Sequence, residues 1–346
     1  MRNLNNWLIV SLSLLAFNFL NAQENKYTRK NKTADTIQYT SDKCYSRSIK
    51  VKDGFLYAAN SNGSLYRIDL QSGLSVNLME NKKFEEMRDL EIVGDTLIGM
   101  QSGSYGVLAI LDNTQFLDYI IPSGNIWHSV FLDGIDFEGR TGFVMGDPRK
   151  NIFTLSYSED GGQTWLACEG KIEAMEGEAG FAASGTNVQV LNDSTFVFVS
   201  GGKKSRFFMT HDKGQTWKQT SLPYLTSLTS GAFSIFMKDS LNGVIVGGDF
   251  ANPDLNLNTA FFTDDGGEFW INAEKQPRGY RSCVHHNSDV LYACGTNGID
   301  ISFDMGREWI PFAHGNFFSM TSDDKYLYAT IPNGRILIFE LVETKD

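Results

Sequence analysis

The chain has 346 residues, of which 42% are hydrophobic and 21% charged, a balance that supports a buried core and excludes a disordered protein. Its formal net charge of -11 argues against a nucleic-acid partner, because displacing counterions from phosphates takes a basic face. With 33 glycines, only 7 prolines and many short alternating apolar runs, it reads as an all-β protein with many turns.

In chain order, the first residues read as an export signal. Arg2 precedes an apolar stretch over residues 7–20, and Ala22 offers a small residue for cleavage. The stretch is shorter than the roughly 20 apolar residues that a membrane span needs, and no later window is long and apolar enough for one. No cysteine ends it, so no lipid anchor is signalled. The expectation is a signal peptide over residues 1–22, a mobile leader over 23–37 carrying the basic cluster from Lys26 to Lys32, and a periplasmic or secreted mature protein.

Beyond the leader, a short apolar strand ending in small residues recurs seven times, beginning at Gly54, Asp95, Gly142, Thr195, Gly243, Asp289 and Lys325. From Ser158 onward a second signature, Ser/Thr-x-Asp-x-Gly-x-x-Trp, is interleaved with it. Its four copies pair Asp160 with Trp165, Asp212 with Trp217, Asp265 with Trp270 and Asp304 with Trp309. Spacings of about 40 to 50 residues mark a repeat architecture. Units of that length with room for four strands predict a seven-bladed β-propeller over residues 38–342. A solenoid of similar period would show helical spacing or Leu ladders, and the units show neither. Residues 36–41 are expected to supply a strand to the last blade, since closure by both chain ends removes an exposed sheet edge.

The second signature has a mechanical reading. The Asp carboxylate accepts from backbone N–H groups of a tight turn, the Gly supplies a positive φ, and the Ser or Thr hydroxyl ties down the turn's start. The Trp then opens the next strand and buries its ring under the hairpin, joining third strand to fourth. One carboxylate per blade is the distribution of a structural element and not of an active site.

These four copies resemble the Asp boxes of bacterial neuraminidase repeat propellers. Residues 133–148, 177–186, 230–249 and 279–284 are similar to a narrower family, the bacterial relatives of photosystem II stability/assembly factors, whose members are often labelled oxidoreductases or glycosyl hydrolases. The resemblance covers residues 40–341 and departs in the first two blades and the last, which lack the box. It implies a propeller with WD40/YVTN-like blades that acts as an assembly factor, or else a carbohydrate-active enzyme.

Searches for chemistry return little. No Gly-x-Gly-x-x-Gly opens a dinucleotide site, so no cofactor is expected. The early Arg-Ile-Pro of sialidases is missing, and no Gly-x-Ser-x-Gly elbow occurs. The boxes lack the ligands of a calcium loop, no His-Glu-x-x-His pairing occurs, and His285 and His286, neighbours on a strand, point to opposite faces, so no metal is expected. Cys44, Cys168, Cys283 and Cys294 match no zinc site and read mostly as free buried thiols; only Cys283 and Cys294 lie close enough to bridge neighbouring strands.

Topology places any site on the face opposite the boxes, where loops from second to third strands and between blades open. These loops gather Arg88, His128, Asp147, Glu178, Lys203, Asp249, Tyr280 and Arg281 around the central funnel. Two readings of them stay open: they pair with one another and with backbone to lock the blades, or they bind a ligand. The polar insert over residues 249–258 is placed to lie over the rim. The functional expectation is a monomeric, non-catalytic binding or assembly module that takes an envelope protein or polar glycan on the funnel face. The alternative is a hydrolase or lyase pairing Asp147 with Glu178 or Asp249.

Overall fold

The computed structural model describes residues 33–122 and 130–341, so His128 and the expected signal peptide lie outside it. Each apolar stretch ending in small residues is the second strand of a four-stranded antiparallel unit: Phe55–Asn60, Thr96–Ser102, Thr141–Arg149, Phe196–Val199, Gly243–Asp249, Val290–Gly295 and Tyr326–Ile331. These strands are apolar without alternation because each blade is covered on both faces by its neighbours. Gly243–Asp249 and Val290–Gly295 are buried at every position.

The first strands are Ser46–Lys52, Glu86–Val93, Leu132–Glu138, Val188–Val190, Ser230–Met237, Cys283–Asn287 and Met320–Ser322, and each touches the next until the last touches the first. That closed ring defines an axis. The chain is an all-β, seven-bladed β-propeller. Blade 7 is completed from the N-terminal side: Thr33–Gln38 pairs antiparallel with Arg335–Glu340, starting three residues before the segment expected from the sequence.

Side chains stitch every junction of the ring. Lys50 pairs with Glu91 at 2.5 Å between blades 1 and 2. Asp89 accepts from the Ile135 amide (2.9 Å) and Asp136 from the Val190 amide (2.7 Å). Gln189 accepts from Met237 N (2.7 Å), and Ser234 Oγ accepts from Val284 N (2.8 Å). His285 Nε2 meets Ser322 Oγ at 2.8 Å, and Thr330 donates to the Ser46 carbonyl at 2.9 Å. Each stitch satisfies a polar group that packing would otherwise leave orphaned.

The core lies between blades, in seven hydrophobic clusters. The four repeated turns do more there than join third strand to fourth. Trp270 of blade 5 packs edge-on against Phe207 of blade 4 at 5.1 Å, and Trp217 of blade 4 meets Phe143 of blade 3 at 5.9 Å. The motif glycines explain why. A Cβ on Gly162 would lie 2.6 Å from Ile98, on Gly267 2.4 Å from Phe207, and on Gly306 2.7 Å from Val244, each in the preceding blade. The motif therefore clamps blade to blade, and its Gly is required by close approach as well as by φ values of 74 to 86°. Within each turn the carboxylate oxygen accepts the amide four residues on: Thr164 (2.9 Å), Thr216 (2.9 Å), Phe269 (3.1 Å) and Glu308 (3.0 Å).

Candidate functional site: a plugged funnel

The funnel is filled by the chain itself. The connection from blade 3 to blade 4 spans residues 168–187, and its last third crosses the axis. Arg47 of blade 1 donates to the Ala183 carbonyl (3.2 Å), and Arg88 of blade 2 donates to that of Ala182 (2.8 Å). Asp147 of blade 3 accepts the Gly180 amide (3.0 Å). Ile235 of blade 5 donates to the Thr186 carbonyl (2.8 Å), and Ser184 donates to the Ser282 carbonyl at the entry to blade 6 (2.7 Å). Only a segment on the axis reaches five blades of a ring.

The local sequence suits that position. Residues 180–186 read Gly-Phe-Ala-Ala-Ser-Gly-Thr, and the small side chains let the backbone sink between charged walls. A Cβ on Gly180 would stand 2.4 Å from the Asp133 carboxyl, and one on Gly185 2.0 Å from Asp89 Oδ1. The base of the plug is pinned by a two-residue pairing, Glu178–Ala179 with Gly201–Gly202, and Gly201 in turn pairs with Gly231. Phe181 stacks on Phe233 at 4.3 Å, and Tyr280 meets Phe233 edge-on at 4.8 Å.

The residues expected on the funnel wall are largely consumed in this construction. Arg88 holds the plug and pairs with Glu86 at 2.6 Å, and Asp147 holds the plug through the Gly180 amide. Glu178 is fully buried against Arg206, which reaches both its oxygens at 2.8 and 2.6 Å, while the Met175 amide donates to it at 2.8 Å. Asp249 caps its own loop through the Ala251 amide (3.0 Å) and Asn252 Nδ2 (2.8 Å). Tyr280 and Arg281, expected to be exposed, are buried. Arg281 is 0% exposed, donating through Nε to Asp300 Oδ2 at 2.9 Å and through Nη1 to the Tyr280 carbonyl and Asn297 at 2.7 Å. The physical reason is the same throughout: charges beside a closed axis lose water and must find protein partners. Lys203 alone stays on the surface, paired with Glu176 at 2.6 Å.

Sequence reasoning missed Arg47, Glu86, Asp133 and the plug itself. A run of small residues inside a long interblade connection was the available signal. Asp133 is 1% exposed, and its two oxygens have no hydrogen-bond partner. Burial, and then the charge of Asp147, push its carboxyl well above the usual range, with Arg88 opposing. Asp147 is raised by burial against the Gly180 amide.

Along the ring of first strands, Asp89, Glu91 and Asp136 surround the one ammonium of Lys50. Burial raises each carboxyl to about 7, and Lys50 opposes the rise. Burial alone would lower Lys50, but the charges of Glu91, Asp136 and Asp89 outweigh it and raise the ammonium. His285 is lowered to about 3, by burial first and by Lys50 second, and stays neutral. Among the described residues no group of three or more His, Cys, Asp or Glu is placed to hold a metal ion.

Comparison with known proteins bears on this geometry only through the fold. No family model matches the chain, and no curated protein matches it. Solved structures do. The WD40 β-propeller domain of Doa1 superposes with a TM-score of 0.66 at 8% identity, over 92% of this chain and 98% of that one. A chain of a mitotic checkpoint complex gives 0.62 at 10% identity, over 91% and 94%. The computationally designed Ika8 protein gives 0.56 at 9% identity, over 88% and 98%. These likenesses are likenesses of fold. Such a propeller is a general framework for binding or assembly, and at this identity the neighbours carry no chemistry across.

Proposed function

We propose that the protein is an exported, non-catalytic binding or assembly module of the cell envelope, working as a monomer through the face that carries the plug. The observation that carries this reading is the plug: the place where a propeller enzyme would seat a substrate is occupied by the chain's own backbone, and the charges around it are spent holding it. The same face presents apolar side chains on adjacent loops. Leu228 is 63% exposed, Leu257 52% and Phe250 48%, and the loops are tied together by Phe250 N to Thr229 O at 3.1 Å. Exposed apolar groups clustered on one face mark protein contact surfaces. Export rests on Arg2, the apolar residues 7–20 and Ala22, and the envelope role on the resemblance to stability/assembly factors.

The test compares the parent with a Leu228→Ser, Leu257→Ser variant, whose substitutions lie on the surface. With thermal stability unchanged, the variant is expected to lose capture of its envelope partner, and equal capture would refute the assignment of this face. Mass spectrometry of the secreted protein should place the N-terminus after Ala22. The carbohydrate-active alternative needs Asp147, so an Asp147→Asn variant that abolishes a measured glycosidase activity would replace this reading.

A further inference from the structure

A second surface adjoins the base of the plug, at the outer edge of blades 3 and 4. The chain leaves blade 3 unevenly. Cys168 N still bonds to Leu155 O at 3.0 Å and Phe153 N to Ile172 O at 3.1 Å, so residues 169–171 bow out as an arch. The arch leans on the motif turn of blade 4, Gly170 N to Gly214 O at 2.8 Å, where a Cβ on Gly170 would strike the Gln215 carbonyl at 2.4 Å. Between the arch and blade 4 lies a cavity of about 570 Å³, which continues past Met175 and Arg206 into a second of about 190 Å³.

The lining has a distinct chemistry. Trp217 is the one motif tryptophan that stays partly exposed. Trp165 and Trp309 donate their indole N–H to Gly162 and Gly306 carbonyls, whereas the indole N–H of Trp217, like that of Trp270, is buried without a partner, so Trp217 offers the groove its ring and not its donor. Beside the ring stand the exposed amides Gln215 and Gln219, the latter accepting from Arg206 Nη1, and exposed cations lie at the two ends, Lys204 and Lys171, whose Nζ spends one donor on the Cys168 carbonyl at 2.7 Å. Arg206 is engaged with Glu178, and Glu173 is the carboxylate on the lining.

An indole face flanked by primary amides suits the apolar face and hydroxyls of a sugar ring, and lysines at both ends suit carboxylates on neighbouring residues. We propose that this lateral groove binds an acidic oligosaccharide of the uronate type, one ring against Trp217 and flanking carboxylates on Lys171 and Lys204. A single-stranded nucleic acid fits less well, because it stacks successive bases on successive aromatic platforms and the groove offers one. An acidic peptide would satisfy the lysines and leave the indole and amides unused. The proposal does not rest on the partner assigned to the plug face.

The experiment is calorimetric titration of the full chain with trigalacturonate at low salt. Its methyl ester, a glutamate hexapeptide and a short single-stranded oligonucleotide serve as comparison probes. Trigalacturonate should bind saturably and more tightly than all three. The Lys171→Gln, Lys204→Gln variant, with an unchanged thermal transition, should bind it about fivefold more weakly, the effect of two exposed charge contacts. Gln219→Ala should weaken trigalacturonate and ester alike. Absence of binding, equal binding of the ester, tighter binding of peptide or oligonucleotide, or an unaffected lysine variant would each overturn the proposal.

Discussion

Replacing Gly185 by alanine tests whether the plug is seated as described. Gly185 has φ +72°, and its Cβ would lie 2.0 Å from Asp89 Oδ1 and 2.3 Å from its Cγ. The left-handed conformation costs a non-glycine residue about 1 kcal/mol. The overlap adds more, because the Asp89 carboxylate is fixed by the amides of Leu90 (2.8 Å) and Ile135 (2.9 Å) and has no free direction in which to swing. Either that carboxylate gives up buried amides, which costs about 1–3 kcal/mol, or the plug lifts. The expected destabilisation is therefore about 2–4 kcal/mol. Gly54→Ala is the matched control: φ is +81° there and a Cβ would meet nothing within 4 Å, so only the conformational part of about 1 kcal/mol should appear. Urea unfolding of both variants, compared at equal m-value, reads the difference directly. Equal destabilisation of the two would show that residue 185 does not press on Asp89 and would refute the plug.

Asp300→Ala strands the buried Arg281 guanidinium and should cost about 3–5 kcal/mol by denaturant unfolding. Burial works against ionisation of Asp160 and Asp212, but hydrogen bonds led by Thr164 and Thr216 prevail and hold both carboxyls at about 2. Their stabilisation is complete above the unfolded value near 4 and is lost as pH falls through about 2, so Asp160→Asn should flatten the acid limb of the stability curve. The axial carboxyls act with the opposite sign. Asp89, Glu91 and Asp136 are raised to about 7, so the stability they carry is present below about pH 4 and lost as pH rises through 7, and Glu91→Gln should reduce that loss in thermal melts between pH 5 and 8. Cys44, Cys168, Cys283 and Cys294 are free and buried, so a thiol reagent should leave the native protein unmodified and label all four on unfolding; modification under native conditions would contradict the burial.

The sequence alone determined the architecture, because its signals are local and repeated. An apolar run ending in small residues recurs where each blade needs a strand covered on both faces, and Ser/Thr-x-Asp-x-Gly-x-x-Trp carries its own turn chemistry wherever it stands. The separation of His285 from His286 was legible for the same reason: alternation sends one to Ser322 and the other to stack on Phe236 at 4.5 Å. The fate of the funnel residues was decided elsewhere. Topology placed Arg88, Asp147, Glu178 and Arg281 near one axis, but whether each faces water, a neighbour or the plug depends on how a connection of small residues threads between blades far apart in sequence. Even the motif glycine had a second role that only the assembled ring discloses, the contact of each turn with the blade before it. Turn geometry is written within a few residues of chain; the partner of a buried charge is whatever the closed ring brings within hydrogen-bond reach, and that is a property of tertiary structure.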